Sequence, residues 1–340
     1  MPDIVSFLKK YDGKDVTIME VCGSHTAAIE KNGIRSMLGA PINLISGPGC
    51  PVCVTVTAYI DKLIELSRDD KNVIVTFGDL IRVPGSSASL YDAKAGGADI
   101  RMVYSPLDIL KLARADRERV YIFAAVGFET TAPVYAMLVR NALEEGLDNV
   151  RLLTSLKTMP PVVEWVCKNS GVIDGFIAPG HVCAVTGYGI FEEIAQKYTL
   201  PFVAAGFDGS QILTALYALI KLRGRGVVKN VYTGVVSRDG NPEAISAIND
   251  TFAPGDASWR GMGRIEGSAL YLREEYSSFD AGSRGLDEDR ENSGCHCARI
   301  LTGREKSRDC PLFGTACTPA SPKGACMVSQ EGACFNAFNG

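Results

Sequence analysis

No apolar run in this chain approaches the roughly 20 residues that a bilayer-spanning helix needs. Residues 1–14 carry charge throughout and lack the apolar stretch of a secretory signal. A cytoplasmic protein with no membrane partner is therefore expected. A strong charge of one sign is missing too: the formal net charge is −4, with 22% of residues charged. That balance argues against nucleic acid as the main partner. Neither a Gly-x-Gly-x-x-Gly fingerprint nor a Walker A loop appears, and Gly261-Met262-Gly263-Arg264 and the basic run 221–225 are too weak to stand in for one. Internal repeats and low-complexity tracts are also absent. What remains is a globular composition, 46% hydrophobic over 340 residues, enough for two or three domains with cores of their own.

Cysteine is abundant. There are 11, six of them between Cys295 and Cys334. A compartment that keeps thiols reduced makes structural disulfides an unlikely use for so many. Crowding of this kind reads as metal ligation or redox chemistry.

From residue 16 to about 233, short apolar runs alternate with turns and helical stretches. The expected strands are 16–21, 42–46, 73–77, 120–126, 150–153, 175–178 and 201–205. The expected helices are 58–67, 106–114, 132–145, 161–169, 190–198 and 210–223. This alternation predicts an α/β fold built from βαβ units with mostly parallel sheets. We divide it into two α/β domains, 1–117 and 118–235, followed by a C-terminal Cys-rich domain, 236–340. Residues 241–279 hold helical stretches and two apolar-rich runs, and the polar run 280–292 reads as a linker or exposed loop. The segment from Gly294 onward has too little apolar surface to order itself, so a bound metal or cluster is expected to hold it.

In that segment Cys310, Cys317, Cys326 and Cys334 are spaced C-x6-C-x8-C-x7-C, each near a Pro or Gly turn former. Four thiolates gathered by turns suit zinc or an iron–sulfur cluster, and the spacing does not choose between them. Just upstream, Cys295-His296-Cys297 offers further soft ligands, a dithiol, or mere packing.

Three further loops carry chemistry-bearing residues. Cys22-Gly23-Ser24-His25-Thr26 follows a strand and precedes a helical stretch (27–36). A helix N-terminus there is expected to favour thiolate at Cys22, with His25 near enough to assist. Gly47-Pro48-Gly49-Cys50-Pro51-Val52-Cys53 repeats the placement after the next strand. Its C-x-x-C pair suits dithiol exchange or metal binding. In Gly127-Phe128-Glu129-Thr130-Thr131-Ala132-Pro133, a threonine serves as an N-cap, and Glu129 is left for acid/base or hydrogen-bonding work. His181 of Pro179-Gly180-His181-Val182 is expected near the same cleft, or is structural. Cys167 reads as core, and Asp208 or Ser210 as a helix cap.

Taken together, CGSHT at 22–26, GPGCPVC at 47–53, GFETTAP at 127–133, PGHV at 179–182 and CPLFGTACTP…GACMVS…GAC from 310 to 334 resemble the signatures of the HypD family of hydrogenase maturation proteins. They run in the family's order over nearly the whole chain. The resemblance implies two related α/β domains facing a cleft and a C-terminal [4Fe–4S] domain ligated by Cys310, Cys317, Cys326 and Cys334. It implies a metallocentre assembly scaffold with redox activity, on which the Fe(CN)2CO unit of [NiFe]-hydrogenase is built. The chaperone HypC would share the iron, and HypE, charged with cyanide by HypF, would donate ligands. Cys22 would bind that iron, Cys50 and Cys53 would be redox or iron-site thiols, and His25 would support. Cys183, which follows PGHV where Ser is expected in many relatives, departs from the pattern. A disulfide reductase using Cys50 and Cys53, or a structural zinc protein, are the rival readings.

Overall fold

The computed structural model describes residues 3–171, 173–290 and 292–340. Met1 and Pro2 of the charged N-terminus and Glu291 of the polar run lie outside them. In chain order the strands are β1 (Val16–Glu20), β2 (Ile42–Ser46), β3 (Asn72–Thr76), β4 (Ile100–Met102), β5 (Val120–Gly127), β6 (Val150–Lys157), β7 (Gly175–Pro179), β8 (Phe202–Ala205), β9 (Val228–Asn230), β10 (Phe252–Trp259) and β11 (Gly263–Leu272). The first sheet has the order β2-β1-β7-β8-β9 and is parallel throughout. The second has the order β10-β11-β6-β5-β3-β4, with β3 to β6 parallel and the β10–β11 hairpin added antiparallel onto β6. Strands such as β7 and β8 are buried along their whole length, which is why they read as unbroken apolar runs.

Sheet membership does not follow the expected division at 117 and 118. β3 pairs with β5 across that point, and β1 pairs with β7. The chain leaves the first sheet after β2, builds most of the second, and returns. Parallel partners are chosen by tertiary packing, so nothing in the local pattern encodes the exchange. As a result the CGSHT, GPGCPVC and PGHV loops all leave one edge of the first sheet, and GFETT alone leaves the second.

Two more segments differ from expectation. The apolar runs in 252–272 are the hairpin, turned at Trp259–Gly263 with Gly261 and Gly263 at positive φ. The polar run is a strap rather than a free linker. Asp287 accepts from Ser258 Oγ, Glu288 O accepts from the Ala58 N–H, and Asp289 accepts from the Thr57 N–H. Its carboxylates find donors on elements distant in sequence, which the sequence alone does not reveal.

One core unites these parts. It runs from Met19 and Phe176 of the first sheet through Val52 and Val54 to Ile122 and Leu153 of the second. It then continues into Ile300, Leu301 and Met327 of the Cys-rich segment.

Candidate metal and thiol site

β1 ends at Glu20, and Cys22 takes the N-cap position of the helix Gly23–Lys31. The fully buried Glu20 carboxylate accepts from the Cys22 N–H at 3.0 Å and from Thr26 Oγ1 at 2.6 Å. Burial pushes this carboxyl up to about 7, against the hydrogen bonds from Thr26, Ser46 and Cys22. Burial also pushes the Cys22 thiol up to about 12. Glu331 and Glu20 add to that shift, and the His25 and Ser24 N–H groups offset only part of it. Without a bound metal, loss of water and two nearby carboxylates outweigh the helix N-terminus that was expected to favour thiolate. A coordinated metal would reverse the balance, because a ligating thiol is deprotonated outright.

Cys50 and Cys53 are joined in a disulfide with a Cα–Cα distance of 5.2 Å, and both are buried. Their loop is stitched to the Cys22 turn. The Gly23 N–H donates to Gly49 O, and the Gly47 N–H donates to Glu20 O, both at 2.8 Å. A Cβ at Gly49 would lie 2.2 Å from the Cys22 nitrogen, so only glycine lets the two loops touch.

His25 is buried, with Nε2 at 3.1 Å from both Ala205 O and Gly206 O. It therefore ties the end of β8 to the Cys22 turn. Burial pushes it down to about 4, so at neutral pH the ring is uncharged. Phe207 lies between the rings of His25 and His181, at 4.8 and 4.1 Å. Ser24 Oγ is 3.5 Å from His181 Nδ1 and donates to Glu331 Oε1 at 2.9 Å. Glu129, from the other sheet, accepts the Met159 N–H through Oε1 at 2.8 Å. Its Oε2 is buried without a hydrogen-bond partner, and burial pushes the carboxyl up to about 7. Thr131 is the N-cap residue as expected, but its hydroxyl donates to Phe128 O and accepts from no helix N–H. Cys183 is buried on the helix Gly180–Thr186, and the charges it feels are those of Cys22 and Glu129. Cys167 is mid-helix and only partly buried.

In the Cys-rich segment Cys310, Cys317, Cys326 and Cys334 are buried, and Cys295 and Cys297 join them around one pocket. Cys297 Sγ and Cys326 Sγ are 2.9 Å apart. Glycines permit the crowding: a Cβ at Gly324 would lie 2.7 Å from Cys295 Sγ, and one at Gly332 would lie 2.1 Å from Cys326 O. The Lys323 N–H donates to Cys317 Sγ at 3.3 Å. Among the described residues no three His, Cys, Asp or Glu side chains converge tightly enough for a single ion. Six soft donors ringing a pocket suit a larger, thiolate-bound group. His296 is held by Glu305 at 2.6 Å, away from the thiols.

The Cys-rich segment touches the Cys22 turn. Glu331, between Cys326 and Cys334, packs on Gly23, where an added Cβ would lie 2.3 Å from its own Cβ, and it takes the Ser24 hydroxyl. The sequence reading missed both Glu331 and Glu20. Neither stands in a recognisable motif, and each matters only through partners that folding supplies.

A family model named HypD and described as "Hydrogenase formation hypA family" matches residues 2–339. The chain is 42% identical over 334 residues to the hydrogenase maturation factor HypD of Rhodobacter capsulatus, covering 94% of this chain and 88% of that one. It is 39% identical over 336 residues to HypD of Cupriavidus necator, covering 95% and 89%. Against HypD of Azotobacter vinelandii it is 40% identical over 330 residues, covering 93% and 87%. No helix among the described residues is long and apolar enough to cross a membrane.

Proposed function

The chain belongs to the HypD family of hydrogenase maturation factors, and from that premise we propose that it is the cytoplasmic scaffold and redox partner for assembly of the Fe(CN)2CO unit of [NiFe]-hydrogenase. The iron is cargo, bound through Cys22 and shared with HypC, while HypE, charged by HypF, delivers cyanide. The observation that carries this reading is the Cys22 turn stitched to the Cys50–Cys53 loop, with Cys183 near enough to feel Cys22 and Glu331 of the Cys-rich segment packed on Gly23. Low-spin Fe(II) carrying cyanide and CO favours soft thiolate donors held away from water, and this site offers both.

The chain's own groups have distinct tasks. Glu20 orients the Cys22 backbone, and neutral His25 fixes the turn. Above about pH 7, where it is ionised, the Glu129 carboxylate can take the proton that a thiol releases on binding metal. The Cys50–Cys53 pair stores two electrons as a dithiol and releases them on closing to the disulfide.

The Cys-rich pocket fits a [4Fe–4S] cluster, which when bound supplies single electrons at low potential. Cys310, Cys317, Cys326 and Cys334, the four expected from the sequence, would hold it. Cys326 lies against both Cys297, at 2.9 Å, and Cys334, and Cys295 and Cys297 line the same pocket as neighbouring thiols.

The Cys50–Cys53 disulfide also favours a second reading, a reductase of other proteins' disulfides. Iron counting separates the two. Isolated anaerobically with HypC, the protein should carry about one iron beyond the four of the cluster, and Cys22→Ala should lose that iron while keeping the cluster. Cluster iron alone in the wild type would favour the reductase.

A further inference from the structure

Arg260 sits in the turn of the β10–β11 hairpin, 3% exposed, with no part in the scheme above. Its Nε and Nη2 both donate to Thr55 O, at 2.9 and 2.7 Å, and its backbone N–H donates to Val54 O at 2.9 Å. Those two carbonyls belong to the first two residues after Cys53. Asp289 of the strap lies 4.0 Å from Nη1 and accepts the Gly261 and Thr57 N–H groups, each at 3.2 Å. At the other end of the dithiol loop, Gly49 O is held by the Gly23 N–H, and inside it the Thr55 hydroxyl donates to Pro51 O at 2.9 Å.

The disulfide is thus one of several closures on this loop, and none of the others passes through its sulfurs. A buried guanidinium is costly unless its donors are used. Here its rigid fork places two donors on one carbonyl, fixing the direction of that peptide as a lysine cannot.

We propose that Arg260 is the positioning residue of the dithiol loop: braced by Asp289, it keeps Cys50 and Cys53 facing each other beside Cys22 when their disulfide opens. The inference rests on the redox reading of that pair. Held thiols have a high effective concentration, which favours closure. In exchange with glutathione, the Cys50–Cys53 disulfide and two glutathione thiols become two cysteine thiols and one glutathione disulfide. The two thiol protons pass to the protein sulfurs. Loosening the loop should shift this exchange toward the open form.

The test uses the full chain in anaerobic glutathione buffers, with Cys50 and Cys53 followed by alkylation and mass mapping. Arg260→Met should raise the reduction equilibrium constant about tenfold, or about 30 mV toward the more oxidising side, and Arg260→Lys about threefold. Hydrogen exchange of residues 50–56 should rise about tenfold in the reduced variant and change little in the oxidised one. Should Arg260→Met fail to fold, Asp289→Asn, which leaves the guanidinium in place, must shift both readouts the same way by a smaller factor. Unchanged constants and exchange overturn the proposal. So does a shift toward the closed form, which would mean that the cation acts by stabilising thiolate. A wild-type pair that closes in no buffer would instead sink the redox reading, and the role of Arg260 with it.

Discussion

Loss of water governs the ionisable groups around Cys22. It holds the Glu20 and Glu129 carboxyls up at about 7, the Cys22 thiol up at about 12 and the His25 ring down at about 4. Each group is moved toward its neutral form, so the pocket is closed to bare charge and takes a cation only with release of protons. Glu129 isolates one part of this. Its folded pKa lies above the ordinary carboxyl value, so the folded protein holds the extra proton between about 4.5 and 7. That contribution to stability is complete below 4.5 and is lost as pH rises through 7. Glu129→Gln keeps the acceptor for the Met159 N–H and cannot ionise. Urea titrations should show the wild type losing up to about 3 kcal/mol relative to the variant between pH 4.5 and 7.5. Parallel pH profiles would mean that the carboxyl is solvated. Cys22, Cys50, Cys53 and Glu129 were legible in the sequence because each follows a β-branched run at a turn. Glu331 was not, because its partner Ser24 is 307 residues away.

Among the elements, the Cys-rich segment offers six thiols where a cluster takes four. Cysteine spacing alone pointed to the last four. Folding adds Cys295, crowded against Gly324, and Cys297 to the same pocket, with Cys326 against both Cys297 and Cys334. Single Ala variants should sort them. Cys310, Cys317, Cys326 and Cys334 replacements should bleach the visible absorption of the anaerobic protein and expose 294–340 to protease. Cys295 and Cys297 replacements should keep most of the cluster. Full bleaching in Cys295→Ala with retention in Cys326→Ala would put Cys295 in the fourth place instead. The strap was illegible for a related reason: a run of acidic residues reads as solvated until Thr57 and the hairpin supply its donors. The hairpin itself was visible only as two apolar runs, since a strand of this length can also be read as buried helix.

For the whole molecule, the parallel α/β character was plain from alternating apolar runs and helical stretches. The interleaving of the two sheets was not, because β1 joins β7 through pairing that no local signal records. That interleaving has a functional result. It brings three loops of one sheet, one loop of the other and the Cys-rich segment to a single buried place, with Glu331 linking the Cys-rich segment to the Cys22 turn. Under the proposed function, Cys22 in this place holds the iron that receives the diatomic ligands. Infrared spectroscopy of the protein isolated anaerobically with HypC tests it most directly. The wild type should show bands of iron-bound cyanide and CO, and Cys22→Ala should lose them with its cluster absorption intact. Bands at full strength in Cys22→Ala would contradict the account and move the iron to Cys50 and Cys53.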